Sequence, residues 1–234
     1  MKQIRRKEGI LRSTEEDIVR HESLNKFVSG KAEYIDDLAE EHGTLHAYVG
    51  KSDFAKGIIL DIDLKEVWAS EGVVDIFTAK DLPGSNDISP TSMRDEPVLV
   101  DKDVSFFGQP LFVVVAKTRL EARKAASLVK IKKNIHNPLL DIHNIKNKNP
   151  EIVTTPLKLE RGDVCEYLKK SKYKISGEIY IGGQDHFYLE SHIAMARIEE
   201  SEEVIIHSST QHPTEVQHMV CLLYTSPSPR DGIG

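Results

Sequence analysis

Residues 108–131 read GQPLFVVVAKTRLEARKAASLVKI, and this stretch decides the fold. Residues 111–116 form a continuous apolar run, which is typical of a strand that is covered on both faces. A helical pattern follows at 119–129, and a further strand begins at 129–131. A buried strand, a helix and a second strand in this order predict a mixed domain of the α+β class.

The predicted helix has a recognisable start and a preferred face. Thr118 is the predicted N-cap, and Glu121 stands three residues later, at the spacing of a capping box. Leu120, Ala125 and Leu128 fall near one face of the helix. We therefore expect these three side chains to pack against the neighbouring strands.

Short elements are predicted on both sides of this stretch. Upstream we expect strands at 32–35, 45–49, 57–63 and 73–77, a short helix at 64–69, a helical turn capped by Thr78 and a loop at 83–96. Downstream we expect a turn at 160–163, a helix at 164–170, strands at 173–181 and 204–209 and a helix at 213–223.

Composition and charge narrow the possible classes of function. The 234 residues are 39% hydrophobic and 29% charged, as in a globular protein that folds in water. The net charge of −6 gives no electrostatic reason to expect binding to nucleic acid. No apolar run reaches the roughly 18 residues of a membrane helix, and the charged N-terminus has no signal-peptide core. We expect no membrane partner.

The cysteine count bears on the redox compartment. Cys165 and Cys221 lie far apart in the sequence, so a disulfide framework is not expected and a cytoplasmic location fits. Two thiolates are also too few for an all-cysteine iron–sulfur cluster, which takes about four. Any such clusters would belong to other domains or subunits.

The stretch GGQDHFYLES, residues 182–191, carries the candidate site. Gly182 and Gly183 would let the backbone approach a bulky group closely. The Gln184 amide offers donors and an acceptor without charge, which suits a ligand whose own protonation changes. The residues leave one alternative open, in which Gln184 satisfies a buried turn and the glycines form a β-bulge.

Three titratable side chains follow within the same stretch. Asp185, His186 and Glu190 resemble an acid–base set, but neighbouring residues of a strand point to opposite faces. We interpret these three as supporting residues that hold the backbone of Gln184 through hydrogen bonds. Phe187 and Tyr188 are predicted to belong to the core rather than to stack on a substrate.

GGQDHFYLE resembles the signature of the molybdopterin-binding subunit in the xanthine dehydrogenase and aldehyde oxidase family. The Tyr-Ile-Asp-Asp order at Tyr34 to Asp37 and the order of residues 108–131 resemble the same family. The resemblance implies that Gln184 hydrogen-bonds an oxygen ligand of the molybdenum. It also implies that the pterin holds the metal, with no protein side chain as a direct ligand.

Residues and resemblance together predict the domain order. We expect an N-terminal arm at 1–20, an α/β-hammerhead domain at 21–132, a linker at 133–155 and the truncated start of a molybdopterin-binding domain at 156–221. The Pro- and Ser-containing tail at 222–234 does not fit the family text. We interpret it as translated adaptor or vector sequence, with a natural disordered tail as the alternative.

The implied activity is molybdenum-dependent oxidation of hypoxanthine and xanthine to urate. The resemblance implies a molybdenum–molybdopterin cofactor, and it places iron–sulfur clusters and FAD on other domains or on a partner subunit. The general-base glutamate is expected downstream of this sequence, so no catalytic residue is assigned here and the chain alone is expected to be inactive. A sister hydroxylase acting on aldehydes or other N-heterocycles and a non-catalytic fragment that packs against redox partners remain alternatives.

Overall fold

The computed structural model describes residues 21, 23–89, 93–146, 157–199 and 203–224. The chain divides into two units, which we treat separately. The larger unit contains Glu41–Phe187 and His212–Gly234, and the smaller contains Met1–Glu40 and Tyr188–Gln211. The arm predicted at 1–20, residues 147–155 of the linker predicted at 133–155 and most of the predicted tail lie outside the described residues.

The described residues form short helices and mostly antiparallel strands. The helices are α1 (Leu24–Val28), α2 (Lys65–Trp68), α3 (Arg119–Ala126), α4 (Ile142–Lys146), α5 (Val164–Lys170) and α6 (Pro213–Tyr224), with 3-10 turns at Ile35–Asp37 and Ala79–Asp81. The strands are β1 (His46–Lys51), β2 (Gly57–Asp63), β3 (Val73–Thr78), β4 (Asp103–Val104), β5 (Pro110–Ala116), β6 (Lys130–Ile135), β7 (Ala194–Ile198) and β8 (Val204–Ser208).

Strand β5 lies at the centre of the larger unit, between β1 and β3 in an antiparallel sheet. Leu111, Phe112, Val114 and Ala116 on this strand are all fully buried. A second antiparallel sheet has the order β4-β2-β6, and Ile59 of β2 belongs to the same hydrophobic core. The buried strand predicted at 111–116 is confirmed, and an α+β fold results.

The start of α3 is confirmed as predicted. The Glu121 N–H donates to Thr118 Oγ1 at 3.2 Å, and the Thr118 hydroxyl donates to the Glu121 carboxylate at 2.9 Å. The first bond satisfies one of the backbone N–H groups that have no acceptor within the helix at its N-terminus, and the second orients the Thr118 hydroxyl. The helix itself ends at Ala126, three residues before the predicted end at 129.

The buried face of α3 differs from the prediction. Leu120 and Leu128 are 59% and 43% exposed, so two of the three residues expected to pack are largely in water. Ala125 is buried as predicted, and Ala122 and Ala126 are buried with it. The helix packs on β1 and β5, and small side chains let a helix backbone lie close to a sheet.

A polar network of Ser52 and Gln109 joins β1 to β5. Ser52 Oγ accepts the N–H groups of Gly108 and Gln109 at 3.1 Å each, and the hydroxyl donates to the Phe106 carbonyl at 3.1 Å. Gln109 Oε1 accepts the Ser105 N–H at 2.8 Å. Both side chains are buried, so these hydrogen bonds hold the Gly108-Gln109 pair in place before β5.

Two of the predicted strands are not strands in the structure. Residues 32–35 lead into the 3-10 turn Ile35–Asp37, and residues 173–181 are extended without a hydrogen-bonded partner strand. The alternation of apolar residues in 173–181 is real, but the described part of the chain offers it no sheet edge. A strand forms only where its backbone groups find a ladder.

Helix α6 contacts the loop that follows the 3-10 turn Ala79–Asp81. The Ser85 N–H donates to the Leu222 carbonyl at 3.2 Å. A Cβ atom added to Gly84 would collide with the backbone of Leu222 and Leu223. Glycine therefore permits this close approach. Among the described helices, α6 included, none is long and apolar enough to cross a membrane.

Candidate cofactor-binding segment

The predicted site residues Gly182, Gly183 and Gln184 lie in an extended, exposed segment of the larger unit. Every described side chain from 157 to 189 is exposed, and no strand is assigned between α5 and β7. The segment begins after α5, whose N-terminus is capped by Asp163 through the Glu166 N–H at 2.8 Å. The site residues are thus presented at the surface of the described structure.

Neither local conformation nor packing explains the two glycines. A Cβ atom added to Gly182 or Gly183 would meet no atom of the described residues within 4 Å. Neither glycine has the positive φ that favours this residue. The β-bulge and buried turn that were the open alternative are not present, because the segment pairs with no described strand and Gln184 is exposed. The segment therefore presents the exposed backbone of Gly182 and Gly183 beside the neutral side-chain amide of Gln184.

Asp185 stabilises a bend immediately after Gln184. Its Oδ1 accepts the Phe187 N–H at 3.3 Å. Phe187 itself has a φ of 51°, in the left-handed region that bulky residues seldom adopt. The carboxylate therefore bonds to the backbone of Phe187 and not to that of Gln184, and it shapes the chain on the C-terminal side of Gln184.

Phe187 and Tyr188 are not in the core of the described structure, contrary to the prediction. Phe187 is 90% exposed and Tyr188 is also exposed. The described residues of the larger unit form no sheet over this segment that could cover Phe187. In the smaller unit, the Tyr188 ring lies 5.8 Å from the His192 ring in an edge-to-face arrangement.

Glu190 lies at the other end of GGQDHFYLES, within the smaller unit. Its Oε1 accepts the backbone N–H of Ile35 at 3.3 Å. The adjacent Ser191 hydroxyl donates to Asp36 Oδ2 at 3.2 Å. Sequence reasoning named Glu190 but missed its partners, although the Tyr-Ile-Asp-Asp order that contains them was itself a signal.

His186, the third predicted supporting residue, is exposed. No group of three His, Cys, Asp or Glu side chains within the described ranges could hold a metal ion directly. A cleft lies elsewhere in the larger unit and is lined by β2 and neighbouring residues, including Ile59, Lys80 and Lys102. None of the predicted site residues contributes to that cleft.

Two family descriptions match successive parts of the chain. Residues 29–134 match the a/b hammerhead domain of aldehyde oxidase and xanthine dehydrogenase. Residues 143–230 match the molybdopterin cofactor-binding domain. The second match includes the whole of GGQDHFYLES and the bend that follows Gln184.

Curated relatives match over most of this chain. The xanthine dehydrogenase of Dictyostelium discoideum is 35% identical over 202 residues, covering 86% of this chain and 15% of that protein. Aldehyde oxidase 4 of Rattus norvegicus is 33% identical over 203 residues, with the same two coverages. The chain thus spans about 15% of the length of these relatives.

The fold of this chain is similar to that of a solved structure. The aldehyde oxidoreductase of Desulfovibrio gigas matches with a TM-score of 0.74 at 23% identity, covering 86% of this chain and 24% of that one. The order of a hammerhead domain and the start of a molybdopterin-binding domain is therefore established on both sequence and fold. The chain belongs to the aldehyde oxidase and xanthine dehydrogenase family.

Proposed function

We propose that the polypeptide containing this sequence is a molybdenum hydroxylase in which Gly182, Gly183 and Gln184 contact the molybdopterin cofactor. The observation that carries the proposal is the pair of glycines. Nothing in their conformation or surroundings calls for glycine, while their open backbone would admit a bulky ligand. Their position inside the part that matches a molybdopterin cofactor-binding domain supports the same view.

The donors in this segment suit such a cofactor. Extended backbone N–H groups at the glycines can bond to an anionic pterin and its phosphate, and the Gln184 amide can donate to an oxygen ligand of the metal. When bound, the cofactor would supply the transfer of oxygen and electrons, as cofactors do for chemistry that side chains cannot perform. The role of Gln184 would be to hold and orient, and Asp185 would fix the bend beside it.

Hypoxanthine and xanthine are the substrates we propose for the intact protein, with electrons leaving through iron–sulfur clusters and FAD on other domains or a partner subunit. The match to a protein named xanthine dehydrogenase supports this choice. Cys165 and Cys221 form no disulfide in the described part of the chain, which is consistent with the reducing cytoplasm that we propose. The general-base glutamate would come from another part of the polypeptide.

An aldehyde substrate is the second candidate, because a relative named aldehyde oxidase 4 matches almost as well as the xanthine dehydrogenase. Other N-heterocycles belong to the same candidate class. Comparing turnover of xanthine and of a simple aromatic aldehyde by the full-length protein separates the two candidates.

The third candidate function is a non-catalytic one, in which the chain only packs against redox partners. It is favoured by the exposed apolar side chains around α5, where Val164, Tyr167 and Leu168 share one face of the helix and lie in water. In that case the segment would serve only to pack against redox partners.

Substitution of Gln184 tests the proposed contact. In the full-length protein, Gln184→Ala is expected to lower turnover on the order of 10²-fold, as removal of one donor at a reacting oxygen does. Folding should change little, because Gln184 is exposed. The measurement is turnover per molybdenum atom, with Gln184→Asn as the variant that keeps the amide on a shorter side chain.

Two results would contradict the proposed contact. One is near-wild-type turnover of Gln184→Ala at full molybdenum occupancy, which would leave the residue without a cofactor role. The other is an equal loss in Gln184→Ala and in Ser127→Ala, a surface substitution whose hydroxyl bonds only the Lys124 carbonyl. The second result would indicate a general loss of folded protein.

A further inference from the structure

Residues 173–181, which read YKISGEIYI, have the sequence pattern of a strand but no described strand beside them. Apolar and aromatic side chains occupy the odd-numbered positions, which are Tyr173, Ile175, Ile179 and Ile181, with Gly177 between them. Mostly polar side chains occupy the even-numbered positions, which are Lys174, Ser176, Glu178 and Tyr180. An alternation with a period of two places one set on each face of a strand, and it does not fit a helix.

The described residues leave the apolar set in water. Ile175 and Ile179 are 102% and 83% exposed, and Tyr173 and Ile181 are also exposed. Scattered apolar residues are normal on a protein surface, but a continuous row of them marks a surface that another part of a protein covers. The row therefore indicates a face that is buried in the longer polypeptide.

The backbone of the same segment is also open. No described residue accepts a hydrogen bond from the backbone N–H groups of 174–181. The Ser171 hydroxyl donates to the Tyr173 carbonyl at 2.7 Å, which holds only the start of the segment. Backbone polar groups beside apolar side chains seldom stay without partners once those side chains are buried. The segment thus needs a hydrogen-bonded neighbour as well as a cover.

We propose that residues 173–181 form a strand of a sheet whose other strands come from the rest of the same polypeptide, with the face of Ile175 and Ile179 buried. Main-chain groups in a row are recognised by another strand, which pairs with them directly. The chain spans about 15% of the length of its curated relatives, so most of the polypeptide lies outside it. One apolar and one polar face are typical of an antiparallel sheet with one side in water.

Gly177 indicates where the covering layer comes closest. It lies at the centre of the apolar row, and a Cβ atom added to it would meet no atom of the described residues within 4 Å. Its φ is not in the left-handed region, so local conformation does not require glycine. A glycine inside a strand often marks the close approach of another backbone or a bulky group. The space between Ile175 and Ile179 would be filled from the covering layer.

Hydrogen exchange in the full-length protein tests the proposed pairing. At least every second amide of 174–181 should exchange on the order of 10²-fold more slowly than in this 234-residue chain, because paired strands exchange only when they open. The 234-residue chain is measured as a monomer, with its size checked by sedimentation. The amides of β5, the central strand of the larger unit, should be protected in both proteins and show that each is folded.

Two neighbouring substitutions test which face is buried. Ile179 and Tyr180 are 83% and 79% exposed, so Ile179→Asp and Tyr180→Asp should be equally harmless in the 234-residue chain. In the full-length protein, Ile179→Asp should reduce the protection of 174–181 by roughly tenfold or more, because a carboxylate would enter an apolar layer. Tyr180→Asp, on the opposite face, should change that protection by less than about twofold.

A second pair of substitutions tests the close approach at Gly177. Valine favours strands, so Gly177→Val should strengthen a strand that has free space above it. Under the proposal it should instead lower the protection of 174–181 in the full-length protein by roughly tenfold, because the added side chain overfills the layer. Ser176→Val introduces the same side chain on the polar face and should leave the protection unchanged.

Four results would overturn the proposal. The first is equal exchange of 174–181 in the full-length protein and in the 234-residue chain while β5 is protected in both. The second is an equal loss of protection in Ile179→Asp and Tyr180→Asp, and the third is undiminished protection in Gly177→Val. The fourth is protection of 174–181 in a dimer of the 234-residue chain, which would make a second copy the neighbouring strand. None of these results depends on turnover, so the cofactor contact of Gln184 is tested separately.

Discussion

At the scale of single residues, the structure separates polar groups that stabilise the fold from those open to a ligand. Ser52 and Gln109 are buried, and the Ser52 hydroxyl and Gln109 Oε1 are hydrogen-bonded within the larger unit. Gln184 is exposed in a segment without a partner strand. Removing a buried, bonded group costs stability, while removing an exposed one affects only what binds there.

Ser52→Ala is therefore expected to destabilise the protein by about 1–3 kcal/mol, because the Gln109 N–H would lose its acceptor in a buried site, while the Gly108 N–H keeps the Ser52 carbonyl. Urea unfolding of the variant and of the wild type measures the difference. Ser127→Ala serves as the control, since Ser127 is exposed, and should change stability by no more than about 0.5 kcal/mol. Equal midpoints for Ser52→Ala and wild type would contradict this role of Ser52.

At the scale of elements, α3 shows how packing selects side-chain size. The helix packs on β1 and β5, its residues Ala122, Ala125 and Ala126 are buried, and its one leucine, Leu120, is largely exposed. From the sequence, Leu120 and Leu128 were expected in the core, because hydrophobicity alone favours leucine over alanine there. The distance between the helix and the sheet, which a single sequence does not reveal, decided the outcome.

A pair of substitutions on α3 tests this arrangement. Ala125→Leu should destabilise the protein by about 1–3 kcal/mol, because a larger side chain would overfill the contact with the sheet. Leu120→Ala should change stability by less than about 0.5 kcal/mol, since Leu120 is largely exposed. Thermal or urea unfolding of both variants and of the wild type measures the two changes in stability. If Leu120→Ala proved the more damaging of the two, Leu120 and not Ala125 would make the main contact with the sheet.

At the scale of the whole molecule, local patterns predicted the hammerhead part well and the cofactor part less well. The cap at Thr118 and the buried run 111–116 depend on neighbouring residues, and both are confirmed. The strand predicted at 173–181 requires a sheet edge, which no local pattern can supply. The bond between Glu190 and Ile35 joins residues 155 apart, a pairing that periodicity cannot reveal.

The candidate site was predicted from the resemblance more than from the residues. Glycines at 182 and 183 have several possible causes in a sequence, and only the structure excludes a bulge and a positive φ. The roles of Gly182, Gly183, Gln184 and His186 toward a cofactor stay predictions. Asp185 and Glu190 each accept a backbone N–H, as residues that hold the local chain in place would.

Molybdenum content is the measurement that tests the central claim most directly. The full-length protein and this 234-residue chain would be expressed in a host that makes molybdopterin, and metal and xanthine turnover would be measured per folded polypeptide. The account predicts about one molybdenum atom and measurable turnover for the full-length protein, and neither for the 234-residue chain. Full-length protein that is folded but binds no molybdenum, or turnover by the 234-residue chain alone, would contradict it.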